Sequence, residues 1–207
     1  MQKLPPSPKF TRDEIVAAAL QIVSERGKEA LTSRELAAAL GSSARPIFTV
    51  FSNMEELQQE VIHAAWDKYN AFVSQSMNFT PAFKKFGMLM IEFAKTEPKL
   101  FQLLFMTENA RAEKLDDIFN YLGETAHMCV DIIHSDFKLP HSDAKKLFEL
   151  VWIFALGISS LCATGACRFS DEEISDMLSR EFRAILNLTL SGKLGDSDYI
   201  PVIRQIK

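Results

Sequence analysis

Arg34 and Arg45 each stand among small and hydroxyl-bearing residues. Thr32 and Ser33 precede the first, Ser43 and Ala44 precede the second, and Phe48, Thr49 and Asn53 follow. A guanidinium is a planar fork of donors that can bond O6 and N7 of a guanine edge together. The small residues before Arg45 let the backbone come close to a groove floor. Thr49 can donate, accept, or touch a thymine methyl. Thr32, Ser33, Arg34 and Asn53 supply hydroxyl, guanidinium and amide donors suited to phosphate oxygens. These residue types are suited to reading duplex DNA rather than to making or breaking bonds.

Other constellations are weaker. The chain has no Ser-His-Asp array, no Gly-rich phosphate loop and no Zn-type Cys/His spacing, so no enzyme, catalytic residue, metal or cofactor is expected. Glu124, His127, Asp131 and His134 share one helical face opposite Leu122, Ala126, Cys129 and Ile133. A solvated face is the simple reading, and a metal or peroxide sensor the minor one. Cys129, Cys162 and Cys167 are odd in number and follow no disulfide spacing, which suits a reducing cytoplasm.

The reading residues need elements to hold them. Thr11-x-x-Glu14 is a capping box, and Ile15, Ala18, Ala19 and Ile22 give the helix behind it one apolar face up to Gly27. Thr32-x-x-Glu35 opens a second, shorter helix that stops at Gly41. Pro46 to Phe51 has strand-like composition, but six residues without a partner make no sheet. With Ser43 as N-cap, Pro46 falls in a first turn and Ile47 and Phe51 share an inward face, so a third helix is expected. Ser52-x-x-Glu55 then caps a long helix to about Gln75. Three short helices joined through a Gly-containing turn make a helix-turn-helix candidate.

Further helices are expected from Thr80-Pro81, from Pro98 to Met106, from Leu115 through Ile133, after Pro140 with Ser142 as cap, and from Ser170-x-x-Glu173 to about Leu190, with a loop at 107–112. The total is about nine, and the fold class is all-α. Gly and Pro number only 8 each in 207 residues, which argues against many short strands. With 47% hydrophobic residues, a disordered chain is excluded. Residues 1–53 hold seven Lys/Arg against five Asp/Glu, on a chain whose net charge is −4, so the anionic partner is met locally. No apolar signal segment is visible in residues 1–9. The uncharged run from Leu150 to Cys167 is long enough to span a bilayer, but Gly157, Ser159, Ser160, Thr164 and Gly165 dilute it. A buried helix shared between subunits, with no membrane partner, is the expectation.

Residues 10–57 resemble the DNA-binding domain of the tetracycline-repressor (TetR) family. The matching residues are Ile15, Val16, Ala18, Ala19, Ile22, Val23, Gly27, Thr32, Ser33, Leu36, Ala37, Gly41, Ser43, Ile47, Phe48, Phe51, Glu55 and Leu57. The resemblance implies a three-helix head over residues 10–53 and an effector-binding and dimerisation body over 54–192, with a disordered tail at 1–9 and a C-terminal tail at 193–207. It makes Arg34, Ala44, Arg45 and Thr49 candidate base contacts and puts Thr32, Ser33 and Phe48 at the phosphate backbone. Phe48 holds a position usually taken by Tyr, Val50 one where His is common, and Met54 one where Lys often faces phosphate. Fewer phosphate contacts imply weaker and less salt-steep binding.

The resemblance also implies an apolar effector pocket in the body, for which Trp66, Asn70, Phe86, Phe101, Phe105, Leu122 and Phe154 are candidate walls. Few charges lie among them, so a small hydrophobic or aromatic effector is expected. The last helix is apolar over about half its circumference. Gly157 and Leu161 of the uncharged helix, with Ile174, Leu178, Phe182 and Ile185 of the last one, are expected to meet a second copy in a four-helix bundle. The functional expectation is a ligand-responsive regulator, by default a repressor, that binds a pseudo-palindromic operator as a homodimer. An effector-independent architectural or division-linked DNA binder is the alternative.

Overall fold

A computed structural model describes residues 9–108, 113–119 and 122–194. Lys9 apart, the expected N-terminal tail lies outside these residues. So do most of the C-terminal tail and positions 109–112 of the expected loop. The described residues form nine α-helices and no strand: α1 Arg12–Arg26, α2 Ser33–Ala39, α3 Met54–Ser74, α4 Ala82–Thr96, α5 Pro98–Phe105, α6 Leu115–Phe119, α7 Gly123–Phe137, α8 His141–Ala163 and α9 Asp171–Leu190. The expected number is reached by a different route, because one expected helix is a single 3₁₀ turn and another is two helices.

Local chemistry explains most boundaries. Thr11 and Glu14 make both halves of their capping box, as do Ser170 and Glu173. The Thr32 box is half made. Thr32 Oγ1 accepts from the Glu35 amide, but the Glu35 carboxylate turns to Arg26, 2.8 Å away, and ties α2 to α1. At α3 the cap moves one residue from the expected Ser52: Asn53 Oδ1 accepts from the Glu56 amide at 2.8 Å. Pro81 and Pro140 precede α4 and α8 in extended conformation, and neither helix has a side-chain cap, so Ser142 does not serve as one.

The expected helix from Leu115 to Ile133 divides into α6 and α7. Gly123 opens α7 at φ +75, outside helical space, and a Cβ there would lie 3.0 Å from Asn70 Oδ1. The backbone conformation favours glycine, and a Cβ would also press on the Asn70 side chain.

α8 is the centre of the body, packed on α4, α7 and α9. By length and composition it could cross a membrane; here Ala144, Leu147, Phe148, Trp152, Ala155 and Ile158 bury one side of it. The head joins this body through α1, which packs on α3 and α5. Ser24 Oγ donates to Glu97 Oε2 at 2.6 Å, and Lys68 pairs with the other oxygen of the same carboxylate. Buried side chains of head and body form one continuous cluster.

The dimer expectation for α9 needs correction. Ile174, Leu178 and Ile185 are buried within the chain itself. The broad apolar arc of α9 is used to cover α4 and α8, leaving Arg180, Arg183 and Asn187 outward. Phe182 is half-buried and stacks on Phe83, with ring centroids 4.6 Å apart. Gly157 and Leu161, by contrast, are exposed on α8.

Candidate nucleic-acid interface

The turn between α2 and the reading segment is a Schellman motif. Gly41, at φ +59, donates to the Ala38 carbonyl, and Ser42 donates to Ala37. Lys9 Nζ reaches Ser42 Oγ at 3.1 Å. The chain then makes a short turn and a 3₁₀ helix, Ile47–Thr49, rather than the α-helix expected from Ser43. Pro46 has no amide to offer, Ile47, Thr49 and Val50 are β-branched, and the Thr49 hydroxyl closes on the Pro46 carbonyl at 2.6 Å. The Thr49 hydroxyl proton is thus engaged, while the oxygen can still accept.

This short segment is anchored from below. Ile47 and Phe51 are fully buried with Ile15, Leu36 and Leu57. Around that anchor Thr32, Arg34, Ser43, Arg45, Phe48, Thr49 and Asn53 are exposed, while Ser33 and Ala44 are half-buried. Among the described residues neither Arg34 nor Arg45 has an ion-pair partner. Arg12 differs: its guanidinium bonds Glu56 and Glu60 at 2.9 Å each and lies over the Phe51 ring. One surface therefore carries two uncommitted arginines, several hydroxyls, and a 44%-exposed phenylalanine at position 48.

Residues 15–61 match the family model described as bacterial regulatory proteins, tetR family. Over those residues the chain is similar to the DNA-binding head of that family. The match covers the helix-turn-helix and the first turns of α3. Solved structures extend the likeness, as a likeness of fold, to the body of the chain. A protein assigned to TetR-family transcriptional regulators from Mesorhizobium loti has 17% identity and TM-score 0.62, covering 89% of this chain and 98% of that one. A second so assigned, from Vibrio parahaemolyticus, has 18% identity and TM-score 0.58, covering 84% and 97%. A fatty acid degradation regulator from Bacillus halodurans has 16% identity and TM-score 0.58, covering 89% and 97%. At these identities the likeness establishes the fold. No curated protein sequence matches the chain.

In the body the expected pocket residues separate. Trp66, Phe101 and Phe105 come together with Tyr69, at ring-centroid distances of 4.8 to 5.7 Å, and fill their shared space. Asn70 lies against Gly123, and Leu122 is buried. Phe86 lies apart from this cluster, against Phe148, and Phe154 is half-buried on α8. The Tyr69 hydroxyl is buried without a hydrogen-bond partner among the described residues, and burial pushes its pKa up. Burial likewise pushes the Cys129 thiol up to about 12, so it stays a neutral packing group.

Sequence reasoning missed a groove of about 290 Å³ between α4, α8 and α9, walled by Phe83, Gly87, Val151, Leu178 and Phe182 with Lys84 and Arg183 at its rim. A glycine one turn after Phe83, on the apolar face of an amphipathic helix, was the available signal.

The acidic and histidine face of α7 disperses. Asp131 pairs with His141 at 3.0 Å, the His134 ring bonds the Leu139 carbonyl, and His127 meets the edge of Phe119. Among the described residues no group of three or more His, Cys, Asp or Glu side chains could hold a metal.

Proposed function

We propose that the protein is a ligand-responsive transcriptional regulator that binds a pseudo-palindromic DNA operator as a homodimer and is released by a small, mainly hydrophobic effector. Repression is its default action, and the cytoplasm its place. The observation that carries the reading is Arg45: exposed, without an ion-pair partner among the described residues, and held on a turn whose underside, Ile47 and Phe51, is wholly buried. A rigid anchor beneath a free guanidinium favours base reading, because the side chain pays little ordering entropy on contact. Arg34, Thr32, Ser33, Ala44 and Thr49 complete the base and phosphate contacts. Phe48 meets sugar and methyl groups, and the Asn53 amide nitrogen faces phosphate while its oxygen caps α3.

The dimer rests on α8. Leu150, Ile153, Gly157 and Leu161 make an exposed apolar stripe along it. Such a stripe is stabilised by its symmetry mate. Two heads then sit about one DNA turn apart, roughly 34–36 Å. Support for an effector comes from the groove beside α9 and from the fold neighbours, among them the fatty acid degradation regulator and a multidrug binding protein. The effector-independent alternative draws on the filled aromatic cluster around Trp66 and Phe105.

Selection of bound duplexes from a random pool tests the reading. The expected product is an inverted repeat whose half-sites are about one turn apart. Recovery of no sequence preference favours an architectural binder, and recovery of no DNA ends the proposal.

A further inference from the structure

We propose that the groove between α4, α8 and α9 binds an amphipathic anion, a carboxylate carried on an apolar chain; as the effector's site, it rests on the regulator reading above. Three features of the groove converge on that chemistry.

The first is shape and lining. The groove holds about 290 Å³, and its walls are the side chains of Phe83, Val151, Leu178 and Phe182. This is near the lower end for small-molecule sites, and its apolar surface suits a chain of methylenes rather than a sugar or peptide. The space exists because α4 carries Gly87 there. A Cβ at Gly87 would lie in ordinary contact with Leu178 Cδ1, 3.4 Å away, so a side chain as large as leucine there would extend into the groove.

The second is charge. Lys84 and Arg183 stand at the rim, and among the described residues no acidic one lines the groove. Lys84 has no hydrogen-bond or ion-pair partner among the described residues, and Arg183 commits only its Nε, to the Ser179 carbonyl at 3.1 Å. Pro81, also at the mouth, precedes α4 without a side-chain cap, so the first-turn amides of that helix add positive potential to the same place. A carboxylate placed there meets two cations on facing helices.

The third lies deeper. A smaller void shares the Phe83, Gly87, Val151 and Phe182 walls and continues inward to Phe86, Phe148 and Trp152. Trp152 is only 4% exposed, yet among the described residues its indole N–H has no acceptor. Buried indole N–H groups ordinarily find one. The void carries the apolar lining of the groove inward and gives an apolar chain room beyond the groove itself.

The test titrates decanoate, decanol and decylamine into the intact chain by calorimetry. It uses the parent, Lys84→Met/Arg183→Met and Gly87→Leu, with Val151→Trp as the filling variant if Gly87→Leu does not fold. The parent is expected to bind decanoate roughly tenfold more tightly than decanol and to reject decylamine. The double variant should erase that preference, and the filled groove should bind none of the three. Equal affinity for acid and alcohol in the parent, or decanoate affinity unchanged by the double variant, overturns the proposal. So does a parent that ignores decanoate while Gly87→Leu sediments as a monomer, since the groove then belongs to a second copy of the chain. Adding the selected operator separates the two readings. Decanoate that binds here without releasing DNA leaves the site standing and removes the effector role. DNA release that the double variant does not alter keeps the regulator and removes the site.

Discussion

The guanidinium of Arg12 lies 4.3 Å from the centroid of the Phe51 ring while bonding Glu56 and Glu60 at 2.9 Å. One side chain from the start of α1 thereby fixes the end of the reading segment to the first two turns of α3. Arg12 is a clamp within the head, and Arg34 and Arg45 are left to face outward.

The clamp has a pH signature. The Glu56 carboxyl is held below its ordinary value of 4.5, first by the Ser52 amide and then by Arg12. A depressed carboxyl contributes stability above its unfolded pKa and loses it as pH falls through the folded one. Glu56→Gln is expected to melt lower than the parent at pH 7, with the gap closing as pH drops below about 4.5. Melting curves across that range check this; a gap that stays constant contradicts it.

The two kinds of apolar position on α8 and α9 should respond differently to charge. Leu161 is 44% exposed and Ile185 only 7%. Leu161→Glu is expected to give folded monomers with weak operator affinity. Ile185→Glu buries an unpaired charge and is expected to unfold the body, at a cost of several kcal/mol. Sedimentation combined with calorimetry distinguishes these outcomes. A folded, dimeric Leu161→Glu would move the interface off α8.

Gly123 should tolerate no side chain. Its φ of +75 and the 3.0 Å approach of Asn70 Oδ1 each penalise a Cβ. Gly123→Ala is expected to lower stability by about 1–3 kcal/mol, read from denaturant midpoints. An unchanged midpoint would mean that the α6–α7 break relaxes freely.

Much of this architecture was legible in the sequence, for identifiable reasons. The boxes at Thr11 and Ser170 are local hydrogen-bond patterns, and the structure makes both in full. Gly41 announced the turn because a Schellman motif needs a left-handed residue. Where tertiary contacts decide, the reading slipped. Glu35 prefers Arg26 to its own cap, so the second box is half formed. Periodicity marked Ile174 and Ile185 as apolar, but it cannot say whether an apolar arc meets its own core or a second copy. The break at Gly123 depends on Asn70 of α3, which no local window contains. Aromatic content suggested a pocket near Trp66 and Phe105, yet aromatic side chains fill space as readily as they line it. The groove depends on a missing side chain, at Gly87, and a pattern of apolar residues does not register that.

Phe48 offers a gain of function. It is exposed at the reading surface and lacks the hydroxyl that the family usually places there. Phe48→Tyr is expected to strengthen operator binding by about 0.5–1.5 kcal/mol and to steepen its salt dependence little, since a neutral donor releases no counterion. Anisotropy titrations at two salt concentrations check both parts. Weaker binding would mean that the ring edge is closed off by DNA.

The central claim is that the segment ending in Thr49 places Arg45 against base edges. Its most direct test is Arg45→Ala on the selected operator and on single-base variants of it, at fixed salt. The account predicts a loss of about 1–3 kcal/mol and relaxed specificity at one base pair in each half-site. Full operator affinity with specificity intact would contradict it.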